Sequence, residues 1–352
     1  MEGSPPRSSP SDESRSAKKA VSLKHSERPL CEAYDLAMLD LDGVVYIGAD
    51  AVRGAPEHVD RARQAGMRVA FITNNARRPP AEVAAHLREL GVAAQADDVV
   101  TSAQAAARVL VDRLGAGARV ALLGAAGLAD ALVAAGLEPV GVTDDAEALV
   151  SGYGPDVLWR DIMRAAVRVR DGLWWVASNS DMTIPTSFGV APGHGVLVET
   201  IRRFSGVDAV VAGKPSRPLL DETVRRVGGD RPLMVGDRLD TDIAGAVNAA
   251  VDSLLVLTGV TGLPELVAAP PEERPTYLSV DLAGLATSHP EVEIDDGTAS
   301  CGGWTASAPN GRLEVDGSGA DGDWWRVVAQ AAWAYADGSG QHVDAAGVEP
   351  PR

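Results

Sequence analysis

Four short apolar runs recur along the chain, each followed by small or polar residues and then by a helix-like stretch. The runs are LAML at 36–39, RVAFI at 68–72, PLMV at 232–235 and SLLVL at 253–257. Continuous apolar runs of this length are typical of strands buried on both faces of a parallel sheet. Helices are predicted at 55–66, 80–91 and 218–229, because each segment ends in glycine, as helices often do. The pattern therefore predicts an α/β fold in which helices cover a parallel sheet.

The spacing of these runs predicts an inserted domain. Roughly 140 residues separate TNN at 73–75 from GKP at 213–215, far more than the dozen or so that one βαβ crossover needs. That stretch contains its own strand and helix candidates. We therefore predict an α/β domain at 108–206, inserted into a core formed by 33–107 and 207–287.

The two ends of the chain differ from this pattern. Residues 1–32 are rich in Ser, Pro and charge, and we predict a disordered tail there. Residues 288–352 are predicted to form a separate C-terminal appendage of unknown role, with a hairpin turning at Asn310-Gly311 and then an amphipathic helix. The tryptophans of that helix are expected to pack against the core or against another subunit, which would give a homodimer. They are Trp324, Trp325 and Trp333.

Polar residues follow the ends of the predicted strands. In open α/β sheets, ligands bind beyond the carboxyl ends of the strands. Here those ends carry DLDG at 40–43, TNN at 73–75 and GDRLDTD at 236–242, while GKP at 213–215 follows a weaker apolar run, DAVV. We therefore expect the side chains of these four segments to line one crevice.

Asp40 and Asp42 stand two residues apart, so their side chains point to one side if the extended conformation of the strand continues. Two close carboxylates repel each other unless a cation or a proton lies between them. A solvated surface turn is an equally good explanation of an isolated DxDG sequence. A calcium-binding EF-hand loop is excluded, because it needs Gly at its sixth position and Glu at its twelfth, whereas here Gly43 is fourth and Ala51 twelfth.

Asp237 and Asp242 form a second acidic cluster, again directly after an apolar run. Capping of the following helix by Asp240 or Asp242 would explain part of this cluster. Capping does not explain Asp237, which is predicted to face the same crevice as Asp40. Oxygen ligands on separate strand ends suit Mg²⁺, which binds through one or two carboxylates, waters and a substrate phosphate.

Lys214 is the only lysine in the predicted folded part of the chain, because the other three lie in the predicted tail. We therefore favour a role in the site over a solvated surface position. A flexible ammonium group can bridge a phosphate oxygen and a carboxylate, whereas a guanidinium imposes planar geometry.

Two further groups of residues are candidates for contacts with a phosphorylated substrate. They are Thr73, Asn74 and Asn75 after the second strand, and Asn179, Asp181 and His194 in the loops SNSDMTIPT and PGHG of the inserted domain. The first group offers hydroxyl, amide and backbone N–H groups to phosphoryl oxygens, although TNN alone could be only a turn. The second group could equally consist of ordinary loop residues.

Composition and charge limit the classes of function. The 352 residues include 32 Lys and Arg against 49 Asp and Glu, and the net charge of −17 argues against nucleic-acid partners. The two cysteines, Cys31 and Cys301, belong to no disulfide-like or zinc-like pattern, which indicates a reducing cytoplasm. No apolar stretch approaches the ~20 residues that span a bilayer, so membrane insertion is not expected.

Taken in order, DLDGVVY, FITNN, AGKP and GDRLDTDI resemble the four motifs of the haloacid dehalogenase (HAD) superfamily of phosphohydrolases. The resemblance covers roughly residues 34–285. The gap between Asp40 and Thr73 is too short for a cap domain, whereas the insert before Lys214 resembles the α/β cap of the subfamily that includes 4-nitrophenyl phosphatases, phosphoglycolate phosphatases and pyridoxal phosphatases. The resemblance implies a Rossmann-like HAD core with an inserted α/β cap domain and a small C-terminal α+β appendage.

The resemblance also implies roles for the candidate residues. Asp40 is implied to be the nucleophile that forms an aspartyl-phosphate, and Asp42 the general acid/base. The implied phosphate-binding residues are Gly43, Thr73, Asn74, Asn75 and Lys214. The implied Mg²⁺ ligands are Asp40, Asp42 through its backbone carbonyl, Asp237 and Asp242. An acid role requires Asp42 to be protonated when substrate binds, so we expect neighbouring negative charge and cap closure to raise its pKa.

The implied function is Mg²⁺-dependent hydrolysis of a small phosphorylated metabolite in the cytoplasm. The motifs and cap loops resemble those of bacterial members that hydrolyse glycerol 3-phosphate and carry a C-terminal extension, so glycerol 3-phosphate is the expected substrate. Phosphoglycolate, pyridoxal phosphate and a sugar phosphate are the alternative substrates. A catalytically silent binding protein or regulator is the alternative from another class. It would be expected to lack at least one of Asp40, Asp42, Lys214 and Asp237, and all are present.

Overall fold

The computed structural model describes residues 22–186 and 188–351. Two parallel sheets, one antiparallel sheet and two small hairpins carry the strands of this part of the chain, and helices pack against the sheets. The α/β fold class predicted from the sequence is confirmed. In the described residues, no helix combines the length and the apolar character that crossing a membrane requires.

The first parallel sheet, called the central sheet below, contains the four strands predicted from the apolar runs. Its strands are β1 (Leu36–Asp40), β4 (Arg68–Thr73), β5 (Val99–Thr101), β13 (Pro232–Gly236), β14 (Asp252–Val256) and β15 (Tyr277–Ser279). Their spatial order is β15-β14-β13-β1-β4-β5, and every neighbouring pair is parallel. The three-residue strands β5 and β15 are too short to appear in the apolar pattern. A small hairpin of β2 (Tyr46–Ile47) and β3 (Asp50–Ala51) follows β1.

The central sheet is buried on both faces. Leu36 and Met38 of β1 pack in one apolar cluster, whereas Ala37 and Leu39 pack in another. Successive side chains of a strand point to opposite faces, so a continuous apolar run fills both clusters. This arrangement explains why the runs are unbroken instead of alternating.

The helices associated with the central sheet include the three predicted ones, which are α2, α3 and α8. The helices are α1 (Leu30–Ala33), α2 (Ala55–Gln64), α3 (Pro80–Glu89), α4 (Ser102–Leu114), α8 (Pro218–Val227), α9 (Ala244–Ala249) and α10 (Leu263–Val267). A π-helical turn, Leu239–Ile243, leads into α9. Each predicted helix ends one or two residues before its glycine, because glycine takes the backbone out of the helical conformation.

The second parallel sheet lies in the region where an inserted domain is predicted. Its strands are β6 (Arg119–Leu123), β7 (Glu138–Val140), β8 (Ala148–Ser151), β9 (Trp174–Ala177) and β12 (Val210–Val211), in the order β12-β9-β8-β6-β7. The helices α5 (Ala126–Ala134), α6 (Trp159–Arg170) and α7 (His194–Ser205) accompany it, together with a hairpin of β10 (Thr183–Thr186) and β11 (Gly189–Pro192).

Strand β12 corrects one prediction. The run DAVV was expected to lead Lys214 into the same sheet as Asp40, but Val210 and Val211 pair with Val176 and Ala177 of the second sheet. Two paired residues carry too little pattern to show which sheet they join. Lys214 therefore reaches the central sheet from the connection between the two sheets.

The appendage packs on the rest of the chain. Its antiparallel sheet has β16 (Glu293–Asp295), β17 (Thr298–Cys301), β18 (Trp304–Ser307) and β19 (Glu314–Gly317), and α11 (Asp321–Ser339) follows. The strands β18 and β19 pair on either side of Asn310-Gly311, and α11 is the predicted amphipathic helix. Its three tryptophans are buried within the chain, in an apolar cluster that also contains Leu266 and Leu278. The tryptophans were expected to pack either against the core or against another subunit. The structure shows that they pack against the core.

The N-terminal segment differs from the prediction after residue 21. Residues 1–21 of the predicted tail lie outside the described residues. From residue 22 onward the segment contacts the core: the Lys24 Nζ donates to Asp252 Oδ1 at 2.8 Å, Ser26 pairs with His289, and Leu30 is fully buried. Leu30 and Cys31 are both buried in the core, so this segment has apolar contacts that its largely polar composition did not reveal.

Candidate active site

Three strand ends of the central sheet meet at one edge. Strand β1 ends at Asp40, β4 ends at Thr73, and Asp237 directly follows β13. Because β1 lies between β13 and β4 and all three are parallel, these residues are neighbours. The crevice expected from the sequence is present at this edge.

Three carboxylates and one ammonium group form the centre of the crevice. Oxygen atoms of Asp40, Asp237 and Asp242 lie within 4.8 Å of one another. The Lys214 Nζ lies 2.6 Å from Asp40 Oδ1 and 2.7 Å from Asp242 Oδ1. Lys214 is 2% exposed, and each of the three carboxylates is also buried. A buried lysine held between two carboxylates is not a surface residue.

The charges of this cluster do not balance. Burial raises the pKa of the Asp40 carboxyl, Lys214 opposes the rise, and Asp242 and Asp237 add to it. Burial and the negative charge of Asp242 raise the pKa of Asp237 to about 6. The pKa of Lys214 is raised by Asp242 and Asp40, although its burial acts in the opposite direction. One ammonium group thus faces three carboxylates in a setting where unpaired charge is costly.

The donor set fits a divalent cation. Asp237 Oδ1 is buried and has no hydrogen-bond partner among the described residues. The carboxylates of Asp40 and Asp242 converge with it, and both supply oxygen ligands. Hard divalent cations such as Mg²⁺ prefer such ligands, and their charge would offset the excess of negative charge.

Asp242 combines two contacts in one side chain. Its Oδ2 accepts hydrogen bonds from the backbone N–H groups of Asp237 at 3.2 Å and Arg238 at 3.1 Å, while its Oδ1 faces Lys214. Helix N-capping by Asp242 is not observed, because neither the π-helical turn nor α9 has a side-chain cap bond and the two N–H groups that Asp242 binds precede the turn. Asp240 instead forms an ion pair with Arg238 at the surface and does not reach the cluster.

A loop that follows β14 also holds the site, and the sequence pattern did not reveal it. The Val260 N–H donates to Asp237 Oδ2 at 2.7 Å, and the Thr261 hydroxyl donates to the Asp237 carbonyl at 2.6 Å. The Thr258 hydroxyl donates to the Gly43 carbonyl at 2.6 Å. The signal that could have located this loop was the sequence TGVT after the fourth apolar run, because β14 ends at the same edge as β13.

Asp42 and Gly43 lie where the chain leaves β1. The Asp42 side chain is exposed to the crevice and is not one of the three clustered carboxylates. Gly43 has a φ of 80°, and a Cβ there would collide with the Asp237 carboxylate, so only glycine fits. The pKa of Asp42 is raised as expected, but the main cause is desolvation by the surrounding protein, which Lys214 opposes. The further rise expected in the substrate complex, from neighbouring negative charge and cap closure, stays a prediction.

The segment after β4 forms a turn that two side chains stabilise. The Asn75 N–H donates to Thr73 Oγ1 at 3.1 Å, and Asn75 Oδ1 accepts from the Arg77 N–H at 2.9 Å, which makes a side-chain-stabilised turn. Thr73 is buried at the strand end beside Asp40, whereas the Asn75 side chain is exposed.

Asn74 clamps the backbone of Lys214. The Lys214 N–H donates to Asn74 Oδ1 at 2.8 Å, and Asn74 Nδ2 donates to the Lys214 carbonyl at 3.0 Å. The same Nδ2 donates to Asp181 Oδ1 at 2.9 Å. Both amide hydrogens are therefore engaged within the protein. The structure gives Asn74 the geometry of a positioning residue, in place of the free phosphate donor that was expected.

The candidates of the inserted region surround this clamp. Asn179 Nδ2 donates to the Asn74 carbonyl at 2.8 Å, and the Asp181 N–H donates to Asn179 Oδ1 at 3.2 Å. His194 Nδ1 lies 2.9 Å from the Asn179 carbonyl and must carry the proton, because a carbonyl only accepts. His194 is 3% exposed, and burial lowers its pKa to about 4. It is a neutral buried histidine, whereas Asp181 is only partly buried.

A cavity of about 600 Å³ lies between the segment after β4 and the second-sheet region. Arg77 and Arg78, which follow the Asn74 clamp, line one wall, and residues 122–126 and 154–158 of the second-sheet region line the other. Arg78 is near enough to Asp42 to lower its pKa by charge attraction. The clustered carboxylates do not line this cavity, and Arg78 is the residue that links its lining to Asp42.

The comparisons with known proteins agree with this geometry. Residues 37–138 match the family described as haloacid dehalogenase-like hydrolase, and residues 211–285 match a HAD-hydrolase-like family. The chain is 40% identical over 316 residues to a D-glycerol 3-phosphate phosphatase of Mycobacterium tuberculosis, covering 87% of this chain and 88% of that protein. It is 34% identical to an acid sugar phosphatase of Staphylococcus saprophyticus, covering 71% of this chain and 95% of that protein.

A solved structure extends the likeness to three dimensions. The crystal structure of a glycerol phosphate phosphatase from Mycobacterium tuberculosis in complex with magnesium aligns with a TM-score of 0.79 and 40% identity. The alignment covers 87% of this chain and 92% of that one. The alternative function, a binding protein without catalytic activity, was expected to lack one of the site residues. All of them are present, and the relatives are phosphatases, so the phosphatase function is the better supported of the two. The chain belongs to the haloacid dehalogenase-like hydrolases and is a phosphatase of that family.

Proposed function

We propose that the chain hydrolyses glycerol 3-phosphate to glycerol and phosphate, with Mg²⁺ as its cofactor. The observation that carries this proposal is the buried cluster of Asp40, Asp237, Asp242 and Lys214, in which Asp237 Oδ1 has no partner among the described residues. The relative that is named for D-glycerol 3-phosphate supports the substrate, and the magnesium complex of the solved relative supports the metal.

In the first step, a carboxylate oxygen of Asp40 attacks the phosphorus atom. The new O–P bond forms as the P–O ester bond breaks, and Asp42 gives its proton to the leaving alkoxide, which departs as glycerol. Lys214 orients Asp40 through the 2.6 Å contact at Oδ1 and neutralises part of the negative charge. The raised pKa of Asp42 supports this role, because a general acid must carry its proton when substrate binds.

In the second step, Asp42 takes a proton from water. The water oxygen bonds to phosphorus, the bond between Asp40 and phosphorus breaks, and inorganic phosphate leaves with Asp40 restored. Mg²⁺, when bound, supplies positive charge that offsets the phosphate dianion. Asp40, Asp237 and the Asp42 carbonyl would hold it, with Asp242 in support. Thr73 and the backbone at Gly43 would receive the phosphoryl oxygens.

We propose that the part of the substrate beyond the phosphate extends from Asp42 toward the cavity that Arg78 lines. Glycerol fills only a small part of about 600 Å³, so larger esters also fit in the conformation described. The acid sugar phosphatase relative specifically favours a sugar phosphate as the second candidate. Phosphoglycolate and pyridoxal phosphate complete the set of candidate substrates. Asp181, at the clamp between the two sheets, is the inserted-region residue that we expect to contact substrate.

The test begins with phosphate release from 4-nitrophenyl phosphate with Mg²⁺ and with excess EDTA. We expect release that EDTA abolishes and that added Mg²⁺ restores. A panel of esters then compares kcat/KM, with glycerol 3-phosphate expected to exceed the others by at least about tenfold, equivalent to 1.4 kcal/mol in the transition state. A higher value for a sugar phosphate would replace the substrate assignment. Absence of Mg²⁺-dependent release would refute the proposed chemistry.

We also propose that the enzyme works as a homodimer in the cytoplasm. Both cysteines are free and buried, which suits the reducing cytoplasm.

The hairpin β10–β11 is the candidate surface for the dimer contact. Its Phe188 is 84% exposed and its Val190 is 79% exposed, whereas the appendage tryptophans are already buried within the chain. Light scattering should give twice the 36.5 kDa chain mass, and Phe188→Ser should lower it. A single-chain mass for the unaltered protein at all concentrations would exclude the dimer.

A further inference from the structure

Helix α11 of the appendage packs against α10 and β15. Leu239 and Ile243 of the π-helical turn, which lies between Asp237 and α9, share one apolar cluster with Trp333. Leu266 of α10 belongs to the same cluster. Helix α10, which follows the loop that holds Asp237, therefore packs directly on the appendage, and the π-helical turn belongs to the same apolar cluster.

The position of α10 depends on this packing. The helix has only five residues, far fewer than the ~12–15 at which isolated helices become even marginally stable. Its last carbonyl groups lack partners within the helix. One of them, the Leu266 carbonyl, accepts a hydrogen bond of 2.9 Å from Trp333 Nε1, and this bond is buried. The same carbonyl also accepts from the Ala269 N–H at 3.3 Å, so the appendage supplies the shorter of these two hydrogen bonds.

Trp333 is held firmly enough to serve as a support. It is 1% exposed, and the Arg274 guanidinium lies over its ring at 5.4 Å from the centroid. Arg274 in turn makes two hydrogen bonds of 2.7 Å to the Asp337 carboxylate, one turn further along α11. A bidentate pair of this kind fixes the orientation of both groups.

The loop between β14 and α10 transmits this support to Asp237. Thr261 lies two residues before α10, and its hydroxyl binds the Asp237 carbonyl at 2.6 Å. Val260 binds the Asp237 carboxylate at 2.7 Å. A contiguous path of hydrogen bonds and short covalent segments therefore runs from Trp333 through Leu266 and Thr261 to Asp237.

We propose that Trp333 is a positioning residue that orients Asp237 for the divalent cation, so that the appendage tunes metal affinity. This inference rests on the proposed Mg²⁺ function. Trp333 touches no reacting atom and acts through α10 and the loop. Residues that support a metal ligand from outside typically change metal affinity by 10–100-fold when they are altered. Trp333 does not contact the metal ligand Asp237 itself and acts through the loop, so we expect metal affinity to change by the lower end of this range, about tenfold.

The experiment measures Mg²⁺ binding to the full-length chain by titration calorimetry without substrate. Trp333→Phe removes the Nε1–H donor and keeps an aromatic ring, and we expect the Kd for Mg²⁺ to rise about tenfold. At saturating Mg²⁺ the KM for 4-nitrophenyl phosphate should stay within about twofold, because Lys214 and Thr73 lie on other segments. Trp324→Phe is the matched control, because Trp324 lies on the same helix and its indole is also buried. We expect it to change the Kd for Mg²⁺ by less than about twofold.

Two further variants test whether a change in Mg²⁺ binding comes from the proposed path and not from a general loss of folding. Asp337→Asn weakens the anchor of Arg274 at a side chain that is 31% exposed, so it should fold and should weaken Mg²⁺ binding in the same direction. Thr261→Val combined with Trp333→Phe should weaken binding less than the two separate effects multiplied together, since both act on one path.

The possible failures are distinguishable. If the unaltered protein binds no Mg²⁺, the proposed function fails. If it binds Mg²⁺ and both Trp333→Phe and Asp337→Asn, folded by circular dichroism, bind it with unchanged Kd, the positioning role is overturned. An equal loss in Trp324→Phe would also overturn it, because the effect would then be general loosening of the appendage.

Discussion

Replacement of Asp40 with asparagine is expected to lower kcat for 4-nitrophenyl phosphate by about 10⁴-fold or more, the scale seen when a catalytic nucleophile is removed. An amide is nearly the same shape as a carboxylate but cannot form the aspartyl-phosphate. The fold should persist, because removing one of three mutually repelling carboxylates relieves repulsion in the cluster. Steady-state kinetics measure the loss, and thermal unfolding checks the fold.

Asp240→Asn is the matched control for this variant. It makes the same chemical change on the same face of the sheet, at a residue that pairs with Arg238 and does not reach the cluster. We expect its kcat to stay within about threefold, since an exposed ion pair contributes little. Retention of most of the activity by Asp40→Asn would exclude Asp40 as the nucleophile, whatever the control shows.

Lys214→Met is expected to be the most destabilising single change at the site. Lys214 is the cation between Asp40 and Asp242, and methionine fills much of its volume without the charge. Removing one partner of a buried ion pair typically costs about 3–5 kcal/mol of unfolding free energy, because the remaining charge stays buried. Urea unfolding at pH 7 in the absence of divalent cations measures this loss. Activity should fall with it, since the phosphoryl group loses its fixed cation.

The loss of stability should depend on pH in a definite direction. Burial already raises the pKa values of Asp40 and Asp237 above the unfolded value of about 3.9, and Lys214 opposes this rise, so its loss is expected to raise them further. Groups with raised pKa values take up protons on folding, so the penalty is small below the unfolded pKa and grows as pH rises through the folded pKa. In the unaltered protein the pKa of Asp237 is already about 6. We therefore expect Lys214→Met to approach the unaltered protein in stability at pH 4 to 5 and to fall furthest behind at pH 7 and above.

Lys24→Met provides the comparison. Lys24 also pairs with an aspartate, Asp252, at 2.8 Å, but its side chain is 59% exposed. Exposed pairs contribute roughly 0–1 kcal/mol, and this variant should show almost no pH-dependent deficit. Equal unfolding midpoints for Lys214→Met and Lys24→Met at pH 7 would mean that the buried cluster does not depend on its ammonium group.

The local apolar pattern was sufficient to predict the strands whose ends carry the acidic site residues. The apolar runs locate β1, β4, β13 and β14, because a strand buried on both faces must be apolar throughout. The residues that follow those runs are then known from the sequence alone. Parallel neighbours bring their carboxyl ends to one edge, and this is why the sequence predicts Asp40, Thr73 and Asp237 in one crevice.

Contacts between distant segments were not available to the same reasoning. Asn74 and Lys214 are 140 residues apart, and nothing local shows that the amide would be used up by the lysine backbone. The short strand β12 gave no sign of the sheet it joins, and the two threonines of TGVT gave no local sign of the partners that their hydroxyls bind. The Val260 backbone N–H contributes to the site only because tertiary packing turns it toward Asp237.

The sequence by itself determined the α/β class, the four longer strands β1, β4, β13 and β14, and the identities of the acidic residues and the lysine, since these follow from the apolar pattern and from residue chemistry. Only the tertiary structure decided which groups bind one another: the clamp at Asn74, the burial of His194, and the support of α10 by Trp333. The physical reason is that periodicity reports which face of an element is buried. Hydrogen-bond partners across the fold depend instead on how separate elements are packed against each other, and a pattern within one segment does not contain that information.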